Sequence, residues 1–196
     1  MRSHLLALCL LVPLTARAGI DHPVEVEDSG IWARSNQNLL RYGLLIGDIA
    51  FAVWEGGETR LGNAAWQSID SVALAGITAE VGKRVFGRLR PTETSDPKQW
   101  FQGGRSFPSG EVAEISGIVT PYVLEYAHDH PGVYALEVLP AYDAIARVKV
   151  GAHWQTDVLA GWAVGTLSGY LAHERGSPFI LGLLPHGFTI GLRKQF

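Results

Sequence analysis

Apolar residues recur at alternating spacings of three and four between residues 36 and 54, which is the period of a helix with one buried face. The same stretch contains Arg41 and Asp48, and charged residues are costly inside a bilayer. We therefore predict a core helix rather than a membrane span. The apolar positions expected to face the core are Leu39, Tyr42, Ile46, Ile49 and Val53.

Four more helical stretches follow, separated by residues that break helices. The first of them should stop at Pro91, and a loop rich in Pro, Ser, Asp and Gly should follow as far as residue 107. Pro140 predicts a kink or a split in a later helix. We expect an all-α bundle of about five or six helices. The further predicted helices cover residues 68–89, 109–126, 134–148 and 153–173.

A glycine stripe marks the last predicted helix, because Gly161, Gly165 and Gly169 fall four residues apart. This spacing leaves one helical face without side chains, so that a neighbouring backbone can approach closely. The apolar run over residues 158–171 is shorter than the roughly 20 residues that a bilayer span needs. We predict close helix packing in a water-soluble core.

The tail beyond this helix has a different pattern. Two apolar triplets at residues 179–181 and 188–190 flank a segment that contains Pro185 and Gly187. Short apolar runs around such a turn are typical of paired strands. The sequence therefore predicts a short C-terminal β-hairpin.

The beginning of the chain has the parts of an export signal. A basic start precedes an apolar stretch over residues 5–14, and Ala-Arg-Ala at 16–18 forms a cleavage site. We predict a signal peptide of residues 1–18 and a single domain of residues 19–196, exported to the periplasm or associated with the outer envelope. Cys9 would leave with the signal, so disulfides, thiolate metal sites and a cysteine nucleophile are excluded.

Cleavage would also make the chain more acidic. With Arg2 and Arg17 removed, 14 Lys and Arg face 19 Asp and Glu, which gives a net charge of −5 instead of −3. General nucleic-acid binding needs a basic surface, so we expect no nucleic-acid partner. A local cluster of basic residues is therefore informative.

Such a cluster lies at the end of the second predicted helix. Lys83 and Arg90 are seven residues apart and would lie within about 20° of the same helical face. Pro91 should end the helix directly after Arg90, so that two long cationic side chains reach toward one place. The neighbouring basic residues that we expect to form ordinary surface pairs are Arg84, Arg88 and Arg105.

Ser109 and Gly110 stand at the start of the next predicted helix. Ser is a good N-cap, and Gly lets a ligand approach the backbone closely. Free N–H groups at a helix start bind phosphate oxygens. Taken alone, the segment is better explained as a simple helix start.

The third cluster contains Arg147, His153 and Asp157. His153 and Asp157 are four residues apart, so on a helix they share a face and the carboxylate can hold one imidazole nitrogen. The other nitrogen would then be oriented as a nucleophile. Arg147 lies off this face on a continuous helix, and Gly151 offers the break that would bring it round.

Together the three clusters resemble the signature of the type 2 phosphatidic acid phosphatase family, which includes bacterial class A acid phosphatases and vanadium haloperoxidases. The pattern reads Lys, six residues, Arg-Pro; Pro-Ser-Gly; then Arg, five residues, His, three residues, Asp, and it covers residues 83–157. The resemblance implies a phosphatase without cofactor or metal. Its substrate would be a phosphate ester or diphosphate, on a small molecule or a lipid.

The resemblance also implies a role for each matching residue. His153 would attack phosphorus to form a phosphohistidine, and Asp157 would orient the ring. Fixed positive groups would stabilise the charge of the transferred phosphoryl group. The residues that would hold the phosphoryl oxygens are Lys83, Arg90, Ser109, Gly110 and Arg147.

One position departs from the family pattern, because Glu111 replaces the histidine that protonates the leaving group. A general acid contributes roughly 10²–10⁴-fold, and nearby cations favour an ionised carboxylate. The protein could still be a working phosphatase under one of three conditions. The leaving group needs little protonation, the protein works at acid pH, or the bound substrate keeps Glu111 protonated. The alternative is a catalytically impaired phosphate- or lipid-binding relative. Glu114 should be an ordinary solvated or paired glutamate. The sequence leaves peripheral membrane contact and the oligomeric state open.

Overall fold

The computed structural model describes residues 19–176 and the backbone of residues 183–184 and 187–188, so the predicted signal peptide lies outside the described residues. Helices dominate, and the predicted all-α fold is confirmed. Short 3-10 helices cover Gly30–Trp32 and Pro131–Glu137. The five α-helices of the described residues are α1 (Arg34–Glu55), α2 (Arg60–Phe86), α3 (Gly110–Tyr126), α4 (Val138–Lys149) and α5 (Gln155–Glu174).

Helix α1 has nearly the predicted bounds, but the predicted buried face is wrong. The five apolar residues expected in the core are 42–73% exposed. The opposite face turns inward because its charged residues have partners on α3: Arg34 pairs with Glu111, and Arg41 pairs with Glu114. We call the exposed residues the α1 stripe. It consists of Leu39, Tyr42, Ile46, Ile49 and Val53.

Helix α2 begins and ends earlier than predicted. Thr59 caps its start, where the side-chain oxygen accepts a hydrogen bond from the N–H of Gly62 at 2.9 Å. Gly87 ends the helix in a left-handed conformation with φ 48°, and its N–H donates to the carbonyl of Lys83 at 3.0 Å. Arg90 therefore lies beyond the helix rather than on it.

Helix α3 lies at the centre and packs between α2 and α5. The glycine stripe of α5 faces it. A Cβ atom added to Gly165 would lie 2.2 Å from the carbonyl oxygen of Ala113, and one added to Gly161 would lie 2.4 Å from the carbonyl oxygen of Ser109. Such distances are sterically forbidden, so the predicted close helix packing is confirmed. It places Ser109 directly against the first half of α5.

The remaining helices also differ from prediction at their starts. The helix predicted over 134–148 is divided into the 3-10 helix Pro131–Glu137 and α4. Pro140 stands in the first turn of α4, where its missing N–H breaks no helical hydrogen bond. Helix α5 begins at Gln155, so His153 lies in the connection before it.

The N-terminal lead-in packs against the start of α5. Asp21 accepts hydrogen bonds from the N–H of Thr156 at 2.8 Å and from the guanidinium of Arg88 at 2.7 Å. Among the helices of residues 19–176, none is both long and apolar enough to cross a membrane.

In the C-terminal tail, strand β1 (Leu183–Leu184) pairs antiparallel with strand β2 (Gly187–Phe188). This pairing agrees with a C-terminal hairpin, although its strands include Leu184 and Gly187, which the sequence placed in the turn. The other residues of the two predicted strands, 179–181 and 189–190, lie outside the described residues.

Candidate active site

The start of α3 has unused hydrogen-bonding capacity. Ser109 is the N-cap residue, yet its side chain makes no capping bond. Its Oγ atom is buried and has no hydrogen-bond partner among the described residues. Buried hydroxyl groups are normally paired, so this hydroxyl has capacity to bind a ligand group.

Lys83 reaches the same helix start from the last turn of α2. Its Nζ atom lies 2.8 Å from the position that a Cβ on Gly110 would occupy, so glycine is needed to admit the ammonium group. Burial lowers the pKa of Lys83, and the charges of Arg105 and Arg90 act in the same direction. A bound anion would relieve this repulsion.

Arg147 enters from α4 and is only 5% exposed. Its Nη1 atom donates to Oε1 of Gln37 at 2.9 Å, and its Nη2 atom lies 3.6 Å from Oε1 of Glu111. Its Nε–H has no partner within residues 19–176. A buried guanidinium donor without an acceptor is suited to bind an oxyanion.

His153 is 3% exposed and sits after Gly151, whose φ of 67° supplies the expected break. Its Nδ1 atom lies 2.7 Å from the carbonyl oxygen of Ser106, so Nδ1 carries the hydrogen and Nε2 keeps a lone pair. Burial lowers the pKa of His153 and outweighs the opposite effect of Asp157, and the charges of Arg147 and Arg90 act in the same direction as burial. A neutral ring with a free Nε2 is the form that a nucleophile requires.

Asp157 does not make the hydrogen bond expected from sequence, because its Oδ2 atom lies 3.8 Å from Nδ1 of His153. Oδ2 instead accepts from the hydroxyl of Ser106 at 2.5 Å and from the N–H of Trp154 at 2.9 Å. Ser106 thus links the two, since its hydroxyl binds Asp157 and its carbonyl binds the imidazole. Burial acts to raise the pKa of Asp157, but the imidazole, these donors and Arg88 hold it below the ordinary value.

Arg88 was expected on the surface, and that expectation is wrong. Its side chain is 1% exposed and donates to Asp157 at 2.6 Å, to Asp21 at 2.7 Å and to the carbonyl of Pro97 at 2.7 Å. The end of α2 at Gly87 turns this residue inward. The two basic residues that do form surface pairs, both with Glu80, are Arg84 and Arg105.

Arg90 does not share a helical face with Lys83, because α2 ends before it. The charge of Arg90 nevertheless lowers the pKa values of Lys83, Arg147 and His153. Its guanidinium therefore lies within electrostatic range of all three side chains. A loop, rather than a continuous helix, brings Arg90 to the site.

Glu111 is held by an arginine that the motifs did not include. Arg34 donates to both carboxylate oxygens, with distances of 2.6 and 2.8 Å. Burial acts to raise the pKa of Glu111, but this bidentate pair and the charge of Arg147 hold it below the ordinary value. The carboxylate is thus ionised at neutral pH. Glu114 is paired with Arg41, as expected for an ordinary glutamate.

Sequence reasoning missed four residues of the site. Arg34 and Gln37 belong to α1, and nothing in their local sequence connects them with α3. Ser106 acts partly through its backbone carbonyl, which leaves no sequence signal. Asp143 is detectable, because it lies four residues before Arg147 and so shares its face on α4.

The described residues contain no group of three or more His, Cys, Asp or Glu side chains that could hold a metal ion. The converging groups are instead cations, hydroxyls and N–H donors. This set matches the charge and hydrogen-bonding pattern of an oxyanion such as phosphate.

Comparisons with known proteins point to the same chemistry. Lipid A 1-phosphatase of Porphyromonas gingivalis is 36% identical over 128 residues, which are 63% of this chain and 26% of that protein. Undecaprenyl-diphosphatase of Sulfolobus acidocaldarius is 31% identical over 107 residues, or 52% of this chain and 50% of that protein. The chain therefore spans between a quarter and a half of the length of these curated relatives.

The chain is also similar to a solved structure and matches a family model. The crystal structure of Aquifex aeolicus LpxE is similar with a TM-score of 0.41 and 20% identity, over 77% of this chain and 99% of that one. The model of the PAP2 superfamily matches residues 64–177. This match covers more than half of the chain and includes every motif residue from Lys83 to Asp157, and the chain therefore belongs to the PAP2 superfamily.

Proposed function

We propose that the protein is a phosphatase that hydrolyses a lipid-linked phosphate ester or diphosphate through a phosphohistidine on His153. The observation that carries this proposal is the pair of buried, unpartnered donors, Ser109 Oγ and Arg147 Nε, among the residues the structure describes. They lie in a site where Lys83 and Arg90 add positive charge. Phosphoryl transfer depends mainly on such positioning and charge stabilisation.

The proposed reaction has two steps. Nε2 of His153 attacks phosphorus, and the bond from phosphorus to the leaving oxygen breaks while cations hold the other oxygens. Water then attacks phosphorus, and the phosphorus–nitrogen bond breaks to release phosphate. Asp157 positions the ring through Ser106, which fixes Nδ1 as the protonated nitrogen. No metal ion takes part in this scheme.

The substrate class rests on the relatives and on an apolar groove. The relatives are named for phosphates on lipid A and on undecaprenyl, so we infer a phosphate attached to a lipid. A groove of about 320 Å³ lies between α1 and α3, lined by residues that include Leu44, Phe51 and Ile118. Ile118 is seven residues from Glu111 along α3, or about 10 Å. The groove therefore lies about two helical turns from the phosphate site, a distance that an apolar chain bound there can span.

Filling the groove tests this assignment. Gly47 lines it, and a Cβ added there meets nothing within 4 Å, so Gly47→Leu occupies the groove without disturbing the helix. We expect KM to rise for a long-chain prenyl diphosphate and to stay unchanged for a short soluble phosphomonoester. An equal change for both substrates would argue against binding of the lipid chain in the groove.

Activity itself is tested with the chain from residue 19 onward. Phosphate release should fall by at least about 10³-fold in His153→Asn, as for other lost nucleophiles. His128→Asn is the matched control, because that histidine is 98% exposed and remote from the site. A phosphorylated protein species, labile in acid, should form in the wild type and be absent from His153→Asn. Unchanged release in His153→Asn would remove the nucleophile.

We further propose that the protein is exported and that the α1 stripe contacts a lipid surface. Large apolar side chains exposed together on the surface of a protein usually mark an interaction surface. An amphipathic helix can lie in the membrane interface. Vesicle co-sedimentation should fall in Ile46→Glu. It should persist in Leu167→Glu, where an apolar residue of α5 is 58% exposed. Equal loss in both variants would contradict a role specific to α1.

Exported protein should begin at Gly19 on N-terminal sequencing.

The Arg34–Glu111 pair also favours a second candidate, a phosphate- or lipid-binding protein without turnover. An ionised Glu111 cannot donate a proton to the leaving group. Glu111→His separates the two functions. A large gain in hydrolysis would show that the natural protein is an impaired enzyme, whereas a fall would show that Glu111 serves its own substrate.

A further inference from the structure

The lead-in before α1 contains a segment that the reaction scheme above leaves unused. We call residues 21–27 the strap, because their contacts run from the end of α4 to the start of α5, across the connection 150–154. The N–H of Glu27 donates to the carbonyl oxygen of Lys149, the last residue of α4, at 2.9 Å. The two side chains also form an ion pair, with Nζ 3.6 Å from Oε2. One end of the strap is therefore fixed to α4.

The other end of the strap is fixed to the start of α5. The N–H of His22 donates to Oε1 of Gln155 at 3.1 Å, and Nε2 of Gln155 donates to the carbonyl oxygen of His22 at 3.0 Å. Between the two ends, a methyl group of Val26 lies against Gly151, where an added Cβ atom would be 3.1 Å from it. The strap thus contacts both helix ends that flank His153 and the backbone between them.

Asp21 provides the first turn of α5 with an acceptor from 135 residues away in the chain. Its Oδ1 atom accepts from the N–H of Thr156 at 2.8 Å, and its Oδ2 atom accepts from the hydroxyl of Thr156 at 2.7 Å. The first N–H groups of a helix have no acceptor within the helix, and a negative charge beside them is favourable. Asp21 therefore stabilises the helix start that closely follows His153.

Asp21 also shares Arg88 with Asp157. The Nη2 atom of Arg88 donates to Asp21 at 2.7 Å, and its Nη1 atom donates to Asp157 at 2.6 Å. The side chains of Asp21 and Asp157 are 14% and 0% exposed, so water screens these charge-assisted hydrogen bonds only weakly. Asp157 in turn binds Ser106, whose carbonyl oxygen accepts from Nδ1 of His153. An unbroken series of hydrogen bonds therefore joins the strap to the imidazole.

We propose that the strap holds the connection 150–154 in its reactive geometry, and that Asp21 is a positioning residue for His153. Asp21 acts through Arg88 and the start of α5 and does not touch the substrate. This inference rests on the proposed phosphatase function and deepens it. A residue of the lead-in, outside every motif of the site, is then required for full turnover.

Asp21→Asn tests the proposal, because asparagine keeps the shape but removes the charge that Arg88 and the helix start share. With p-nitrophenyl phosphate, kcat should fall by about 10- to 100-fold, since a displacement of a reacting group by about 1 Å can cost about 10²-fold. KM should stay unchanged, because Lys83 and Arg90 reach the phosphate from the end of α2 and the loop after it. Asp21→Glu keeps the carboxylate and should recover part of kcat.

Glu25→Gln is the matched control, because it removes one negative charge from an exposed position of the same strap. It should leave kcat and KM unchanged. Circular dichroism should show the same helix content in this variant, in Asp21→Asn and in the wild type. An Asp21→Asn variant as fast as Glu25→Gln would overturn the proposal. A fall in kcat that only matches a loss of folded protein would also overturn it, since the role of Asp21 would then be structural alone.

A nuclear magnetic resonance measurement distinguishes failure of this inference from failure of the phosphatase function. In protein with isotope-labelled histidine, the Nδ1–H proton of His153 that binds the carbonyl oxygen of Ser106 should give a signal in slow exchange with water. This signal should persist in Glu25→Gln and should broaden or disappear in Asp21→Asn. The same result in a wild-type protein without phosphate release would contradict the phosphatase function and still support the role of the strap. An unchanged signal in Asp21→Asn would remove Asp21 from the positioning of the imidazole.

Discussion

Replacing Arg88 by methionine should lower the free energy of unfolding by about 3–5 kcal/mol, the usual cost of leaving one charge of a buried pair unpaired. Arg88 is 1% exposed and Asp157 is 0% exposed, so water cannot replace the lost guanidinium. Methionine retains much of the packing volume but loses the cation–π contact of the guanidinium with the ring of Trp100, which is 4.3 Å away. The expected loss is therefore mainly electrostatic.

Urea denaturation followed by circular dichroism at pH 7 provides the measurement. Arg84→Met is the matched control, because Arg84 is 74% exposed and pairs with Glu80 on the surface. Its expected cost is below about 1 kcal/mol. The double variant Arg88→Met/Asp157→Asn should recover part of the loss, since no buried charge is then left without a partner.

The pH dependence gives an independent check on the same pair. Donors lower the pKa of Asp157 in the folded state, so its contribution to stability is present above the unfolded value of 3.8 and is lost as pH falls through the folded value. Without Arg88 the pKa of Asp157 is lowered less, so this loss should be smaller and should be complete at a higher pH. An Arg88→Met variant as stable as Arg84→Met would refute the reasoning, as would a double variant without recovery.

Three further predictions concern packing and titration. Gly165→Ala should cost about 1–3 kcal/mol or more in urea denaturation, because its Cβ would lie 2.2 Å from a carbonyl oxygen, whereas Gly43→Ala should be neutral or stabilising, as its Cβ meets nothing. The pKa of Asp143 is about 7 in the folded protein against 3.8 for a free side chain, so the folded state binds the carboxyl proton more tightly. The free energy of unfolding should therefore fall by about 4 kcal/mol between pH 4 and pH 8. Asp143→Asn should not show this fall. Because the pKa of His153 is lowered, kcat/KM should rise with pH through a value below 6.5 and then level off; a midpoint above 6.5 would contradict a neutral nucleophile.

Helix positions could be predicted from sequence because they depend on local signals. Periodicity, glycine and proline placed all five α-helices to within a few residues, except at the start of α2. The direction in which α1 faces could not be predicted in the same way. Its orientation depends on Glu111 and Glu114, which are more than 70 residues away in the chain.

The candidate site shows the same difference between residues placed by local signals and residues placed by long-range contacts. Short-range features of the sequence position the motif residues: a glycine at the end of α2, the N-cap of α3 and the glycine before His153. Residues that hold the motif residues in place come from distant segments and have no shared spacing. Arg88 illustrates the limit, because one early helix end changes an expected surface cation into the buried partner of Asp157.

The Arg34–Glu111 pair decides whether this site can bind phosphate at all. An ionised carboxylate 4 Å from a phosphate oxygen would repel it by about 4 kcal/mol per unit charge at an effective dielectric constant of 20. Arg34 compensates that charge through two direct hydrogen bonds. Lys83, Arg90 and Arg147 then remain available to the substrate. Because the pKa of Asp143 is raised to about 7, that carboxyl group adds no further negative charge below this pH. The carboxylate and its arginine together carry no net charge, and the cationic balance needed for phosphoryl transfer is preserved.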